Sequence, residues 1–245
     1  MLKIQNLSKN FGGIKAVNNC SFEIGNGKIT ALIGPNGSGK STIFNLISGV
    51  LKADSGRVLF DGKDITNLSV DKISNIGISR IFQKSRLFNN LTIKENILLA
   101  FDNEDEKFWK SLFGLNNHTN EKEEKIKEML KFVKMNEHER KYARNLSFGQ
   151  KRLVEIVRAI INPHKLLMLD EPVAGVTPLL RKELSEVLLK LKEKGETIFI
   201  IEHDMNFVLN IADEVVVMDE GRIIAQGKPQ QIKKNKKVLE AYLGD

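Results

Sequence analysis

Eight residues, Gly34-Pro35-Asn36-Gly37-Ser38-Gly39-Lys40-Ser41, carry the spacing G-x-x-x-x-G-K-[ST]. Glycines at these positions let the backbone turn its N–H groups inward around phosphate oxygens. A helix that starts after them points its positive end at the same anion. In this pattern Lys40 reaches the β- and γ-phosphates, Ser41 takes Mg2+, and Thr42 follows on the first helical turn. The bland alternative is a glycine-rich turn with an incidental lysine. The apolar run before the pattern and the helical stretch after it argue against that.

A second group lies 130 residues further on. Leu166-Leu167-Met168-Leu169 is an apolar run that ends in Asp170-Glu171. In an open α/β sheet, ligands bind beyond the C-terminal ends of the strands, where these carboxylates would stand. Asp170 would hold Mg2+ through water, and Glu171 would orient or deprotonate an attacking water. Alone the pair is a weak signal, because strands often end in an acid at the surface. A third group is Leu146-Ser147-Phe148-Gly149-Gln150, followed by an apolar-periodic stretch through Ile161. By itself Ser147 reads as a helix N-cap.

These residues need a scaffold, and the chain can supply one. At 245 residues, 41% hydrophobic and 28% charged, it is long and apolar enough for one large domain or two coupled subdomains. The longest unbroken apolar run, Ile97 to Phe101, falls far short of the ~20 residues a spanning helix needs. No charged-then-apolar leader is seen, and the single Cys20 excludes an internal disulfide and a cysteine-based zinc site. The net charge of +7 suits an anionic partner, but lysine is spread along the whole chain and reads mostly as solvated surface. Lys233, Lys234, Lys236 and Lys237 form the densest cluster, and they too read as solvated.

Periodicity places the elements. Residues 1–25 read as strands about a Gly12-Gly13 turn, and Ile29 to Ile33 as a buried strand. A helix is expected from Lys40 to Ile47, and a strand from Arg57 to Phe60 entering an Asp61-Gly62 turn. Residues 102–140 are highly charged and read as a mostly helical insertion. Within them, Ile126, Met129, Leu130 and Val133 give one apolar face to a helix over Glu121 to Met135. Strands at 166–169, 197–201 and 215–218 then alternate with a helix marked by Leu180, Leu184, Val187, Leu188 and Leu191. Strands alternating with helices imply an α/β fold with a parallel sheet.

Taken in order, the P-loop, Gln83 after Ile81-Phe82, the stretch 146–150, Asp170-Glu171 and His203 resemble the nucleotide-binding subunit of an ABC transporter over nearly the whole chain. The resemblance implies a P-loop NTPase (RecA-like) core with an N-terminal antiparallel β subdomain, over about 1–82 and 165–245. It implies a helical signature subdomain over about 83–164. Two such subunits would close head to tail on two ATP molecules. Ser147, Gly149 and Gln150 of one would then complete the site of the other. Glu171 would be the general base, and His203 would contact the γ-phosphate. Gln83 would sense Mg2+ and the attacking water, and Phe11 would stack on adenine. The alternative for Phe11 is a core aromatic. The resemblance further implies integral-membrane permease partners, touched around Gln83 to Ala100, where Leu87 and Phe88 read either as exposed apolar contacts or as core packing. It implies a peripheral place on the cytoplasmic face of the inner membrane, and no nucleic acid.

A closer resemblance is to the ATPase of branched-chain amino acid uptake systems. It rests on Phe148, Arg80-Ile81-Phe82-Gln83 with Arg86-Leu87-Phe88, Ala174-Gly175 then Pro178, Glu202-His203-Asp204-Met205, and the C-terminal stretch from Ala225 to Gly244. The lipopolysaccharide-export ATPase shares several of these. A non-transport ABC ATPase and a P-loop kinase are the other readings. The short, single-cassette spacing between Lys40 and Leu146 speaks against the first, and the signature and His203 against the second. Two residues depart from the general pattern: Phe148 replaces a glycine in the signature, and Thr177 replaces an aspartate after the Glu171 loop.

Overall fold

The computed structural model describes residues 1–83, 85–101 and 118–243, in two compact units. Unit one comprises 1–83, 164–172 and 188–245. Unit two comprises 84–163 and 173–187. The charged stretch 102–117, expected to belong to a helical insertion, lies outside the described residues.

Unit one begins with β1 (Leu2–Phe11) and β2 (Ile14–Ile24), joined through Gly12-Gly13. With β4 (Ser55–Phe60) and β5 (Lys63–Asp64) they form an antiparallel sheet in the order β2-β1-β4-β5. Asp61 and Gly62 make the expected turn, both with positive φ, at 49° and 78°. The second sheet contains β3 (Ile29–Ile33), β6 (Ile78–Ile81), β7 (Leu166–Asp170), β8 (Thr197–Ile201), β9 (Glu214–Asp219) and β10 (Arg222–Gly227). Its order is β10-β9-β3-β8-β7-β6, with β10 antiparallel and the rest parallel. Every residue of β3, β7 and β8 is buried, which explains why these strands read as unbroken apolar runs.

Both faces of that sheet are covered. On one, Leu32, Met168, Phe199 and Val216 pack with residues of β1, β2 and β4 and of helix α1 (Lys40–Ile47). Phe199 sits 4.7 Å from the ring of Phe44 and 5.9 Å from Phe22, so one aromatic cluster links both sheets to α1. On the other face, Ala31, Ile33, Val215 and Val217 pack with Val208, Ile232 and Val238. The short helix α2 (Val70–Asn75) precedes β6.

Unit two contains α3 (Ile93–Leu98), α4 (His118–Phe132), α5 (Phe148–Ile160) and the first half of α6 (Pro178–Glu193). Helix α4 begins and ends earlier than its apolar spacing suggests. Lys134 takes a left-handed φ of 58°, and Met135 N–H bonds Leu130 C=O at 2.7 Å. That turn buries Val133 and Met135 beyond the helix end, so they extend the apolar pattern without extending the helix. Helix α3 is fixed by a Thr92–Glu95 capping box, and buried Asn96 bonds the backbone of Phe88, Leu91 and Thr92.

Unit one ends with α7 (Met205–Ile211), α8 (Pro229–Ile232) and α9 (Lys236–Leu243).

Candidate functional site

Parallel pairing brings the C-terminal ends of β3, β6, β7 and β8 to one edge of the sheet. The P-loop follows β3, Gln83 follows β6, Asp170 and Glu171 end β7, and His203 follows β8. Five residues or stretches spread over more than a hundred positions in sequence thus share one edge.

The loop from Gly34 to Gly39 requires its glycines. At Gly34 a side chain would place Cβ 1.9 Å from Met218 O, and at Gly39 2.2 Å from Ala16 O, both with positive φ. Ala16 belongs to β2, so the β1–β2 hairpin presses against the end of the loop. Ser38 C=O accepts the Gly221 N–H at 3.0 Å, and this pins the loop from the other side. Ser38 and Lys40 are buried, Pro35, Gly39 and Thr42 half-buried, and Asn36, Gly37 and Ser41 exposed. The hydrogen-bond ladder of α1 starts with Ile43 N–H on Gly39 C=O, which leaves the first amides of the helix outside it. Gly39, the N-cap residue, has no side chain to cap them.

Lys40 Nζ donates to Gly34 O at 2.8 Å, to Pro35 O at 2.7 Å and to Ser38 Oγ at 3.3 Å. Burial pulls its pKa below the usual lysine value, while the charges of Glu171 and Asp170 oppose that pull. A desolvated ammonium inside a ring of carbonyls and uncapped amides fits a polyphosphate.

Opposite lie the carboxylates. Asp170 is buried, and its Oδ2 accepts from Arg80 Nη2 at 2.9 Å. Glu171 adopts φ 47°, left-handed for a residue with a side chain, held there by its N–H on Ile201 C=O at 3.0 Å. Such strain clusters where a side chain must be aimed. Its Oε2 accepts from Gln83 Nε2 at 2.7 Å. Beyond β8, His203 is over half exposed. Its neighbour Glu202 is wholly buried and accepts the His203 N–H at 3.2 Å. Among the described residues no three His, Cys, Asp or Glu side chains converge on a metal. Ser41, Gln83 and Asp170 are oxygen donors of the kind Mg2+ takes together with substrate phosphates, so the residues fit that ion.

Phe11, at the tip of the β1–β2 hairpin, is 45% exposed and outside the core, with Lys9 Nζ 5.6 Å from its ring centre.

Ser147, Gly149 and Gln150 belong to unit two and start α5. Ser147 Oγ accepts the Gln150 N–H at 3.2 Å, and Gln150 Oε1 accepts the Ser147 N–H at 3.0 Å. The N-cap reading of Ser147 therefore holds, and its hydroxyl proton remains for an outside acceptor. A side chain at Gly149 would meet Leu180 Cδ1 at 2.6 Å. Phe148 is 43% exposed, which fits a residue at a surface more than one in the core.

Of the two readings of Leu87 and Phe88, core packing holds for Leu87, which is buried, and exposure for Phe88. Leu87 points inward because Arg86, just before it, is clamped to α5: its N–H bonds Glu155 Oε1 at 2.7 Å and its C=O accepts Arg158 Nη1 at 3.0 Å. Sequence reasoning also missed β6. It has four residues with an arginine inside, so no run or alternation marks it. It likewise gave no role to Arg80, Asn45 or Ser48, whose contacts come from distant positions.

The chain is similar to known proteins over its whole length. Residues 17–174 match the ABC transporter family model, and residues 222–245 match that of the branched-chain amino acid ATP-binding cassette transporter. The chain is 42% identical over 247 residues to the probable branched-chain amino acid transport ATP-binding protein LivG of Archaeoglobus fulgidus, covering all of this chain and 95% of that one. The protein of the same name from Methanocaldococcus jannaschii is also 42% identical, over 251 residues, covering all of this chain and 98% of that one. A solved ADP conformation of an ATP-binding cassette of an ABC transporter superposes with a TM-score of 0.87 at 39% identity, covering 100% and 99% of the two chains. A dimeric post-hydrolysis cassette bound to ADP and Pi superposes with a TM-score of 0.78 at 25% identity, covering 94% of this chain and 99% of that one.

Proposed function

The chain belongs to the ABC transporter family of ATP-hydrolysing subunits, and from that premise we propose how its site works and what it serves. ATP lies with its phosphates in the loop from Gly34 to Ser41 and against the uncapped start of α1, with Thr42 on the first turn. Lys40 exchanges its loop carbonyls for phosphate oxygens. Phe11, exposed at its hairpin tip, stacks on the base. Ser41, Asp170 and Gln83 would hold Mg2+, which when bound would offset the charge on the phosphates. Glu171 takes the proton of the attacking water and Gln83 keeps its carboxylate aimed. His203 contacts the γ-phosphate.

The observation that carries this reading is the sheet edge itself. An uncapped helix start and a buried lysine face two carboxylates, and each carboxylate is held by a donor from the end of β6. Phosphoryl transfer to water needs positioning and charge stabilisation rather than covalent help, and this edge offers both.

A second cassette completes the site through its own Ser147, Gly149 and Gln150, so turnover depends on closure. That second cassette is a copy of this chain or a related one. No helix among the described residues is long and apolar enough to cross a membrane. The work of closure therefore passes to separate membrane subunits, at the cytoplasmic face of the cell membrane, around Phe88. The similarity to LivG proteins and the match at 222–245 support branched-chain amino acid uptake as the transport served.

The Glu171→Gln variant tests the reading. It should keep ATP binding, lose turnover by roughly a hundredfold or more, and accumulate as an ATP-bound dimer in size-exclusion chromatography. A variant that stays monomeric with saturating ATP at high protein concentration overturns the shared site.

A further inference from the structure

Arg80 sits inside β6, paired in register with Met168 of β7. Its side chain is 7% exposed, and both terminal nitrogens of its fork are engaged. Nη2 donates to Asp170 Oδ2 at 2.9 Å. Nη1 donates to Asn45 Oδ1 at 2.8 Å and to Ser48 Oγ at 2.7 Å. The guanidinium carbon lies 4.6 Å from the Phe82 ring centre and 5.6 Å from that of Phe44.

Each contact does something different. Asn45 and Ser48 lie at the end of α1, where a cation also meets the negative end of the helix. The P-loop starts this helix and Arg80 grips its other end. Phe82 stands directly before Gln83, so the ring under the guanidinium belongs to the segment that carries the second donor of the site. Asp170 is a buried carboxylate, and a buried carboxylate needs a paired, hydrogen-bonding cation. Arg80 supplies it through Oδ2 alone, and no hydrogen bond of Oδ1 is formed with the described residues.

We propose that Arg80 is a positioning residue for the metal-facing carboxylate. It fixes Asp170 by one oxygen, presents the other to Mg2+, and ties that presentation to α1 and to the Phe82-Gln83 segment. A planar fork is required, because a lysine carries the charge but reaches only one of the three acceptors in a defined geometry. The inference rests on the reading of Asp170 as the carboxylate that faces Mg2+.

The test is the Mg2+ concentration that half-saturates binding of trinitrophenyl-ATP, read by fluorescence on the full chain, beside the affinity for the same probe in EDTA. Positioning partners of metal ligands typically change metal affinity by about 10–100-fold. Arg80→Lys should raise the half-saturating Mg2+ about tenfold and leave the EDTA affinity within about twofold. Asn45→Ala removes one anchor of the fork at a half-buried position and should shift Mg2+ the same way, by less. It carries the test alone if Arg80→Lys does not fold. Were charge the only contribution, Arg80→Lys would match the wild type. A wild-type Mg2+ dependence in the folded Arg80→Lys variant, or in Asn45→Ala where that variant does not fold, overturns the proposal. Asp170→Asn separates the two layers. If it leaves the Mg2+ dependence unchanged, the reading of Asp170 fails and takes this inference with it. If it shifts Mg2+ while the Arg80 and Asn45 variants do not, only this inference fails.

Discussion

Helices α1 and α5 both start where the sequence puts a phosphate-recognition motif, and they treat their first amides in opposite ways. Helix α1 is preceded by glycine and leaves its amides uncapped. Helix α5 is preceded by Ser147, and a reciprocal box with Gln150 consumes one N–H at each of the two residues. The first start is therefore built for an anion and gains little stability without one. The second is stable by itself and offers an anion mainly one hydroxyl proton and the amides of Phe148 and Gly149. A charged, buried lysine stands beside the first start and no lysine or arginine precedes Lys151 in the second. On the proposed reading α1 would bind nucleotide within a lone subunit, and α5 would add to a site that already holds it.

The largest expected effect sits on the α1 side. Lys40→Ala removes a desolvated charge from among phosphate oxygens. A charge-assisted contact of that kind is worth roughly 3 kcal/mol, so ATP affinity should fall about a hundredfold. Isothermal titration of the isolated chain measures it, at a concentration where subunits do not meet. Unaltered affinity would remove the assignment of the loop and erase the contrast between the two starts.

Much of this edge was legible before any coordinates, and the reason is local. The P-loop, the apolar run into Asp170-Glu171, and the strands β3, β7 and β8 are contiguous in sequence, so spacing alone marks them. Helix α1 fell on the expected residues because Lys40 to Ile47 has an apolar face and a glycine at each side. Contacts across the sheet were not legible. Nothing near Arg80 announces Asp170, ninety residues away, or the end of α1. Glu171 gave no sign of its left-handed backbone, because that conformation is imposed by its bond to Ile201. Surface and core stayed open for Leu87 for the same kind of reason: whether an apolar residue in a loop turns inward depends on what clamps its neighbour, here Glu155 and Arg158 of α5.

Ser147→Ala acts on the other start with a smaller, divided effect. Losing an N-cap costs about 1 kcal/mol, which for a chain of this size lowers Tm by roughly 2–4 °C. Affinity for ATP in the dilute, isolated chain should not change, whereas turnover at concentrations where subunits pair should fall at least several-fold, since Ser147 brings the hydroxyl proton. A drop in dilute affinity would mean that α5 serves its own subunit's nucleotide, and the division of labour between the two starts would be wrong.

The finest test changes a single atom type. Gln150→Glu keeps the box, because a glutamate at this third helical position accepts the Ser147 N–H as well as glutamine does. The Gln150 amide also lies 3.2 Å from His138 Nε2, and a carboxylate there can accept from that ring nitrogen. A negative charge in the first turn of a helix adds ~0.3–1 kcal/mol of stability. Tm should therefore rise by about 1–3 °C. The same charge faces whatever anion the helix start meets, so turnover at pairing concentrations should fall by about two- to fivefold at low salt and recover partly as salt screens it. Opposite signs for stability and turnover are what a helix start shared between capping and phosphate must give. If Tm rises and turnover stays put at every ionic strength, α5 begins with a cap and nothing more, and phosphate recognition belongs to α1 alone.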